Sequence, residues 1–318
     1  MDVLSDVVEM TRTGPPLSLR VEIRSPWALR SPESAGAAFH VVLQGACWLL
    51  LDGSPPLALG PGDIVLLPRG ASHVVADDPR TPPVDVPCLD GSTPIETASL
   101  GGQGARSLLL SGGYRLDWSR PHPLLTALPE ALHVPADPGR HQSLRRAIAL
   151  LGEELESERP GRGTILSALT DAMFPLIVRA WIDNDPPCQE GDWPLALTDP
   201  AIAGALEEIH ADPQRDWTVE SLAREAGLSR AAFARRFASV VGEPPLAYLT
   251  RWRMTVAGRL LRESDMTLAA VARRVGYTSE FAFAKAFKRA YGIAPGAYRR
   301  ASIQAASGDL AQVRERGS

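Results

Sequence analysis

Two groups of side chains in this sequence have types and spacings that could do chemistry. The first lies between residues 230 and 289: Arg230, Arg235, Lys285, Lys288 and Arg289, set among the small Ala231, Ala234 and Ala284 and the aromatic Phe281. Arginine and lysine can donate to guanine O6 and N7, and an aromatic ring can pack on a thymine methyl. Arg235 and Lys285 suit the first task and Phe281 the second. Arg230, Lys288 and Arg289 are better read as phosphate contacts. The small residues between them would let a helix sit deep in a major groove. The second group is His40, Cys47 and His73. Imidazole and thiolate both suit zinc, so His40 and His73 are candidate metal ligands, with Cys47 or a solvent molecule as a further donor. The preferred alternative is a pair of hydrogen-bonded histidines lining a ligand pocket.

The first group must be held on helices, and the sequence around it is an internal repeat. Leu222-Ala223-Arg224-Glu225-Ala226-Gly227-Leu228-Ser229 continues to Phe233, Phe237 and Gly242. Val271-Ala272-Arg273-Arg274-Val275-Gly276-Tyr277-Thr278-Ser279 continues to Phe283, Phe287 and Gly292. The copies align with one residue inserted after Gly276. Each closes with G-x-x-P-x-x-Y: Gly242, Pro245 and Tyr248, then Gly292, Pro295 and Tyr298. Val219, Leu222, Ala223 and Ala226 form one apolar helix face; Leu268, Val271, Ala272 and Val275 form another. Gly227 and Gly276 stand where a helix needs a left-handed residue beyond its end. Ser229 and Ser279 are suited to cap the next helix. The spacing predicts two helix-turn-helix units, each with a second helix able to enter a groove. Phe233 and Phe237 then point inward, with Ala231, Ala234, Arg235 and Ala238 outward. In the second copy Phe283 and Phe287 point in; Phe281, Ala284, Lys285, Lys288 and Arg289 point out. A long helix from Pro245 to Leu261 would link the units.

The 318 residues carry a net charge of −4, which on average argues against a polyanionic partner. The average misleads. Residues 1–197 carry −9, residues 198–302 carry +5, and residues 217–300 alone carry +9. Such asymmetry points to a polyanion for one segment only. An apolar content of 45% excludes wholesale disorder. No apolar run reaches the roughly 20 residues that span a bilayer; the nearest, 173–182, contains Pro175 and Arg179. No membrane partner is expected. The acidic N-terminus lacks the basic-then-apolar layout of a secretory leader. Cys47, Cys88 and Cys188 form neither an even framework nor a C-x-x-C. A cytoplasmic, reduced protein is expected.

Ahead of the repeat, Phe39–Leu43, Trp48–Leu51, Ile64–Leu67 and Ser107–Leu110 read as short strands. Asp52-Gly53, Gly60-Pro61-Gly62 and Arg69-Gly70 are turn signals between them. This spacing suggests a sandwich or barrel. Residues 77–104, with clustered Pro and Gly, read as a long loop or insertion. The period then becomes helical. After a cap at Ser143, Leu144, Ile148, Leu151 and Leu155 share a face. A second helix is expected over 164–184, with Ile165, Leu169, Met173, Leu176 and Trp181 inward and a kink at Pro175. Ile177 and Trp181 exceed one narrow stripe, which makes a dimer interface an option. Residues 189–197 read as a linker, and Pro200 suits the first position of a helix.

With these motifs the chain from Ala201 to Arg300 resembles the AraC/XylS family of bacterial transcription regulators. The most specific part is Val275-Gly276-Tyr277 followed by Phe283, Phe287, Gly292, Pro295 and Tyr298. The resemblance implies that both recognition helices occupy successive major-groove faces of one site. Base-facing positions would be Ala231, Ala234 and Arg235, then Glu280, Phe281, Ala284 and Lys285, with Ser279 also expected among the DNA-binding residues. With alanine at two of the first three, Arg235 would carry most direct readout there and DNA shape the rest. Gly62 to His73 matches the second cupin motif, G(x)5PxGxxH, with Asp77 where that motif often has Asn. The first motif, HxH(x)3E, falls on His40, Val42 and Ala46, so only His40 survives. An oxygenase-type cupin would need three or four ligands, and catalysis is not expected. The whole chain is similar to a subgroup with a cupin sensor ahead of the AraC-type domain. The similarity includes Met1-Asp2-Val3-Leu4-Ser5, Phe39-His40-Val41-Val42-Leu43, Gly113-Tyr114-Arg115-Leu116 and Leu124-Leu125-Thr126-Ala127-Leu128-Pro129. That subgroup includes reactive-chlorine-responsive regulators that sense oxidant through cysteines. They carry a Cys shortly before the position of Gly113, where this chain has Ser111-Gly112, and a second near residue 20 that this chain lacks.

The expectation is an α+β multidomain chain. A cupin-like β-barrel sensor would span 1–135, a helical connector and linker 136–197, an all-α DNA-binding domain with two helix-turn-helix units 198–302, and a disordered tail 303–318. The expected function is sequence-specific DNA binding in transcription regulation, under an effector or stress signal. One alternative is a thiol redox switch using Cys47 and Cys88. Another is a metal-dependent cupin enzyme fused to a DNA-binding domain. Expected partners are double-stranded DNA, RNA polymerase, a small-molecule or oxidant effector, and a second copy of the chain. No cofactor is established by the sequence; a divalent ion such as zinc in the cupin-like barrel is the option that His40 and His73 leave open.

Overall fold

The computed structural model describes residues 2–34, 36–86, 99–118, 120–184 and 193–304. Among these, the strands are β1 Leu17–Arg24, β2 Ala28–Ser31, β3 Gly36–Gln44, β4 Cys47–Leu51, β5 Leu57–Leu59, β6 Ile64–Leu67, β7 His73–Ala76, β8 Val84–Asp85, β9 Ser99–Gly101, β10 Arg106–Arg115 and β11 Leu132–Val134. The helices are α1 Val3–Thr11, α2 Pro123–Ala127, α3 Gln142–Glu156, α4 Arg162–Asn184, α5 Trp193–Thr198, α6 Pro200–Ala211, α7 Val219–Glu225, α8 Arg230–Val241, α9 Pro245–Glu263, α10 Leu268–Arg274 and α11 Glu280–Tyr291.

These elements form two compact units that do not follow chain order. One comprises Arg12–Asp117 and Leu128–Pro186; the other comprises Met1–Thr11, Trp118–Ala127 and Pro187–Ser318. The linear division into sensor, connector and reader is therefore redrawn. Helices α3 and α4 belong to the strand unit, while α1 and the segment around α2 belong to the helical unit. Helical periodicity reveals an apolar face but not the partner that covers it.

In the strand unit a six-stranded sheet, ordered β11-β6-β3-β10-β1-β9, accompanies a five-stranded one, β5-β4-β7-β2-β8. Alternation along β1 directs Leu19, Val21 and Ile23 into a core that includes Trp27, Val42, Cys47, Leu49, Val65 and Val75. The four expected strands are present as β3, β4, β6 and β10. The expected loop over 77–104 is interrupted by β8 and β9; residues 87–98, including Cys88, lie outside the described residues.

Phe39 of β3 and Tyr114 of β10 stand 6.0 Å apart on one sheet face, and Tyr114 meets Phe174 of α4 edge-on at 5.6 Å. Gly112 makes room for this arrangement, since a Cβ there would stand 2.2 Å from the Phe39 ring. Helix α4 buries Thr170, Met173, Phe174, Ile177 and Val178. This is not the expected face. Ile165 is exposed, and Leu169, Leu176 and Trp181 are only half-buried. Two apolar stripes overlap on this helix, and periodicity alone does not choose between them. Ile177, being fully buried, is not available to a dimer interface. The helix runs unbroken through Pro175. By length and composition alone it would also pass as apolar enough to cross a membrane, as core helices do; here it packs on α3, β11 and β1. Helix α3 starts at Gln142 with His141 before it in the left-handed region, so Ser143 lies inside the first turn and is not the cap.

In the helical unit Asp199 caps α6 by accepting from the amides of Ala201 and Ile202, with Pro200 at the first position. Ser229 accepts from Ala232 N–H and Ser279 from Ala282 N–H, capping α8 and α11. Gly227 and Gly276 have φ of 65° and 78°, the left-handed turn that the repeat requires. Phe233, Phe237, Phe283 and Phe287 are fully buried. The single helix α9 joins the two copies.

Candidate DNA interface and sensor pocket

The caps and the buried phenylalanines together fix which side of each recognition helix meets water. On α8, Arg230, Ala231 and Arg235 are exposed and Ala234 is half-buried. At α11, Ser279, Glu280, Phe281, Lys285, Lys288 and Arg289 are exposed and Ala284 is half-buried. The side chains of Arg230, Arg235, Lys285, Lys288 and Arg289 make no hydrogen bond or ion pair among the described residues. Their donors face solvent. Phe281 is 80% exposed, an arrangement that water does not reward. Other arginines of this unit are consumed internally. Arg236 binds Asp199, Arg251 binds Glu243, and Arg259 binds Glu9 and Glu263. The +9 charge therefore overstates the cations available to a partner, and composition could not sort them.

In the strand unit, His40 of β3 and His73 at the start of β7 are brought together and buried. Their Nε2 atoms lie 2.9 Å apart; His40 Nδ1 is 2.8 Å from Ser111 Oγ, and His73 Nδ1 is 2.7 Å from the Ala71 carbonyl. A carbonyl only accepts, so His73 carries its proton on Nδ1 and presents a bare Nε2. His40 must then donate from Nε2, and Ser111 donates its hydroxyl proton to His40 Nδ1. One proton order satisfies every member, with both rings neutral. Burial, reinforced by the neighbouring His73, pushes His40 down to about 3. Burial also lowers His73. Ser111 was not singled out from the sequence; its register opposite His40 in the β3–β10 pair is a pairing that only the fold supplies.

Cys47 does not join this pair. It lies in the apolar core, and burial, with Asp63 nearby, pushes its thiol up to about 12. Among the described residues no group of three His, Cys, Asp or Glu side chains is placed to hold a metal. His40 and His73 are hydrogen-bonded to each other, and the thiol expected as a further donor lies elsewhere, in the apolar core. Beside His73 a cleft of 440 Å³ is lined by Arg30, Leu51, Asp52, Ser72 and Thr81 among others. It offers a small molecule mixed polar and apolar walls.

A third constellation, not foreseen, is buried in the helical unit. His210 of α6 faces Asp6 of α1 at 3.2 Å through Nδ1 and the Tyr248 hydroxyl at 2.6 Å through Nε2. That hydroxyl also lies 3.1 Å from His122 Nε2. Burial lowers both histidines. Asp6 and His122 come from the N-terminal part of the chain; His210 and Tyr248 come from the C-terminal part. They are too far apart in sequence for spacing to connect them.

Two helix-turn-helix units with unpaired cations on their outer faces, together with a two-sheet domain enclosing a polar pair, define a DNA-binding regulator with a ligand-sensing domain. Residues 2–183 match a cupin family model and residues 222–301 a helix-turn-helix domain model. An AraC-like transcription regulator of Streptomyces lividans is 38% identical over 306 residues, covering 94% of this chain and 98% of that one. The RCS-specific HTH-type transcriptional activator RclR of Escherichia coli K12 is 32% identical over 307 residues, covering 94% and 97%. The solved DNA-binding domain of AdpA, in complex with a target DNA, is 38% identical and covers 32% of this chain and 92% of that one, with a TM-score of 0.31. The chain belongs to the AraC family of DNA-binding transcription regulators, with an N-terminal cupin domain.

Proposed function

We propose that this regulator reads a two-part DNA site through α8 and α11, and that a small molecule held by the cupin domain controls the reading. The observation that carries the DNA face is the set of exposed, unpaired cations around the exposed Phe281. Arg235, Lys285 and Phe281 take the base edges, with Ala231, Ala234, Glu280 and Ala284 lining the approach. Arg230, Lys288 and Arg289 hold phosphates, and Ser279 caps the second helix. RNA polymerase and a second copy of the chain are further partners of this reading. A chromosomal target favours a cytoplasmic location.

The cupin domain acts as a binding domain rather than an enzyme. Support comes from a donor set that is complete as a hydrogen-bonded chain and supplies no third ligand among the described residues. Chain connectivity supports a route for the signal. Strand β10, which carries Ser111, runs on to the segment bearing His122; β1, its neighbour in the sheet, is preceded by α1 and Asp6. Both exits from the paired central strands lead to the buried network around Tyr248. An effector that favours one arrangement of β10 biases that network through differential affinity.

Selection of duplexes from a random library by the full chain tests the reading. It should enrich two half-sites about one helical turn apart, roughly 10 base pairs. Repeating the selection with candidate small molecules should change affinity without changing the motif. Failure to enrich any motif would sink the proposal.

A further inference from the structure

The two helix-turn-helix copies are alike in sequence, yet their turns stand in different surroundings. A Cβ built on Gly227 would meet nothing within 4 Å. A Cβ on Gly276 would stand 2.7 Å from Arg253 Nη2 and 2.9 Å from the Gln214 carbonyl oxygen. The second turn is therefore pressed against the stretch that enters the first copy, and Arg253 fills the junction. From α9 its Nε donates to the Pro213 carbonyl at 2.7 Å and its Nη2 to the Arg215 carbonyl at 2.9 Å. Its guanidinium lies 6.0 Å from the centre of the Tyr277 ring. The turn it grips is itself stiff. Trp217 Nε1 donates to the Asp212 carbonyl, and Arg215 stacks 3.9 Å over the Trp217 ring.

We infer that Arg253 is a positioning residue that sets the relative placement of the two recognition helices, and so the half-site spacing the protein accepts. The inference rests on the two-part reading above. Arg253 commits Nε and one Nη2 hydrogen to main-chain carbonyls, which turns the guanidinium toward the first copy. The second copy packs its core on α9 through Met254, Ala257 and Leu261, so its placement relative to the first copy depends on that helix and on any bridge between the two turns. A planar fork that binds two carbonyls of the first copy while packing on the turn of the second supplies such a bridge. Lysine, with one rotatable point charge, cannot reproduce the fork. Two modules joined rigidly bind together only where the DNA matches their geometry.

The test uses the full chain and the duplex it selects, with one or two base pairs inserted or deleted between the half-sites. The native chain should lose affinity about tenfold or more at each wrong spacing. Arg253→Met and Arg253→Lys should bind the native spacing several-fold more weakly and lose much less on changing it, so the spacing profile flattens. Gly276→Asn should flatten it as well, because Asn tolerates the left-handed turn but its side chain displaces Arg253. Gly227→Asn should leave the profile sharp. Should Arg253→Met fail to fold, the two glycine variants decide. An equal loss at every spacing, or a profile as sharp as the native one, overturns the inference while the two-part reading stands. If the native chain itself is indifferent to spacing, both fall.

Discussion

His210 lies flat on Trp252, with ring centroids 3.6 Å apart and planes 4° from parallel. The stacking holds the imidazole edge in line with Asp6 on one side and Tyr248 on the other. The Asp6 carboxylate accepts from His210 Nδ1–H, so a neutral His210 presents a bare Nε2 and receives the Tyr248 proton. The Tyr248 oxygen is then left to accept from His122 Nε2–H. His122 Nδ1 in turn accepts the Leu124 amide at 3.2 Å. A single proton order runs from α1 to α2 through the core of the helical unit.

Removing the bridging hydroxyl exposes what it satisfies. Tyr248→Phe keeps the ring and its packing but leaves His122 Nε2–H and His210 Nε2 without their partner in a buried site. Each such orphan costs about 1–3 kcal/mol. Urea unfolding of the full chain should register a loss of about 2–6 kcal/mol for the two together, with faster amide exchange in α1. A stability within about 0.5 kcal/mol of the native chain would show that the network is not a constraint.

The C-terminal repeat was legible because its signals are local. Gly227, Gly276, Ser229 and Ser279 act on the adjacent turn, and the spacing of Phe283 and Phe287 alone settles the outward face of α11. The four richest strands were legible from β-branched and apolar runs. The rest depends on long-range pairing. Ser111 matters because β10 lies beside β3. Asp6 matters because α1 packs with residues two hundred positions away. Helix α4 carried two apolar stripes, and only the sheet beneath decides that Phe174 and Ile177, not Ile165 and Leu169, turn inward. Cys47 and His40 are close in sequence yet part company: on β4 it is Leu51 that pairs with His73, while Cys47 stands at the other end of the strand, opposite Leu59 of β5.

Buried neutral histidines make the protein acid-sensitive. His40 falls from 6.5 unfolded to about 3 folded, and His73, His122 and His210 are also lowered by burial. The folded state thus binds fewer protons than the unfolded one below the unfolded value. The stability they contribute is complete above that value and is lost as pH falls toward the folded one. Each contributes a slope of up to about 1.4 kcal/mol per pH unit. Urea midpoints should fall between about pH 7 and about pH 5, and His40→Gln should shallow the slope. A flat profile would contradict neutral burial.

A thiol switch at Cys47 is not expected to operate. Burial pushes its thiol up to about 12, so the thiolate is scarce at neutral pH, and reactivity follows the thiolate. In a chain carrying Cys88→Ser and Cys188→Ser, a thiol reagent should label Cys47 only after unfolding. Rapid labelling of the folded chain would restore the oxidant-sensing alternative.

The DNA face separates into residues that specify and residues that anchor, and substitution should tell them apart. Arg235→Ala removes the one long donor on the exposed face of α8 between two alanines. It should cost about 1–3 kcal/mol and relax preference at one base pair. Phe281→Ala should weaken preference at a thymine, because the ring is exposed and has no core to fill. Lys288→Ala takes away a charge at the far end of α11. It should weaken binding evenly across sequences and reduce the dependence on salt by about one counterion. Competition binding against duplexes altered one position at a time, at two salt concentrations, reads all three. If Arg235→Ala lowers affinity equally for every duplex and steepens no preference elsewhere, its guanidinium holds a phosphate, and the bases under α8 are then discriminated by groove shape alone.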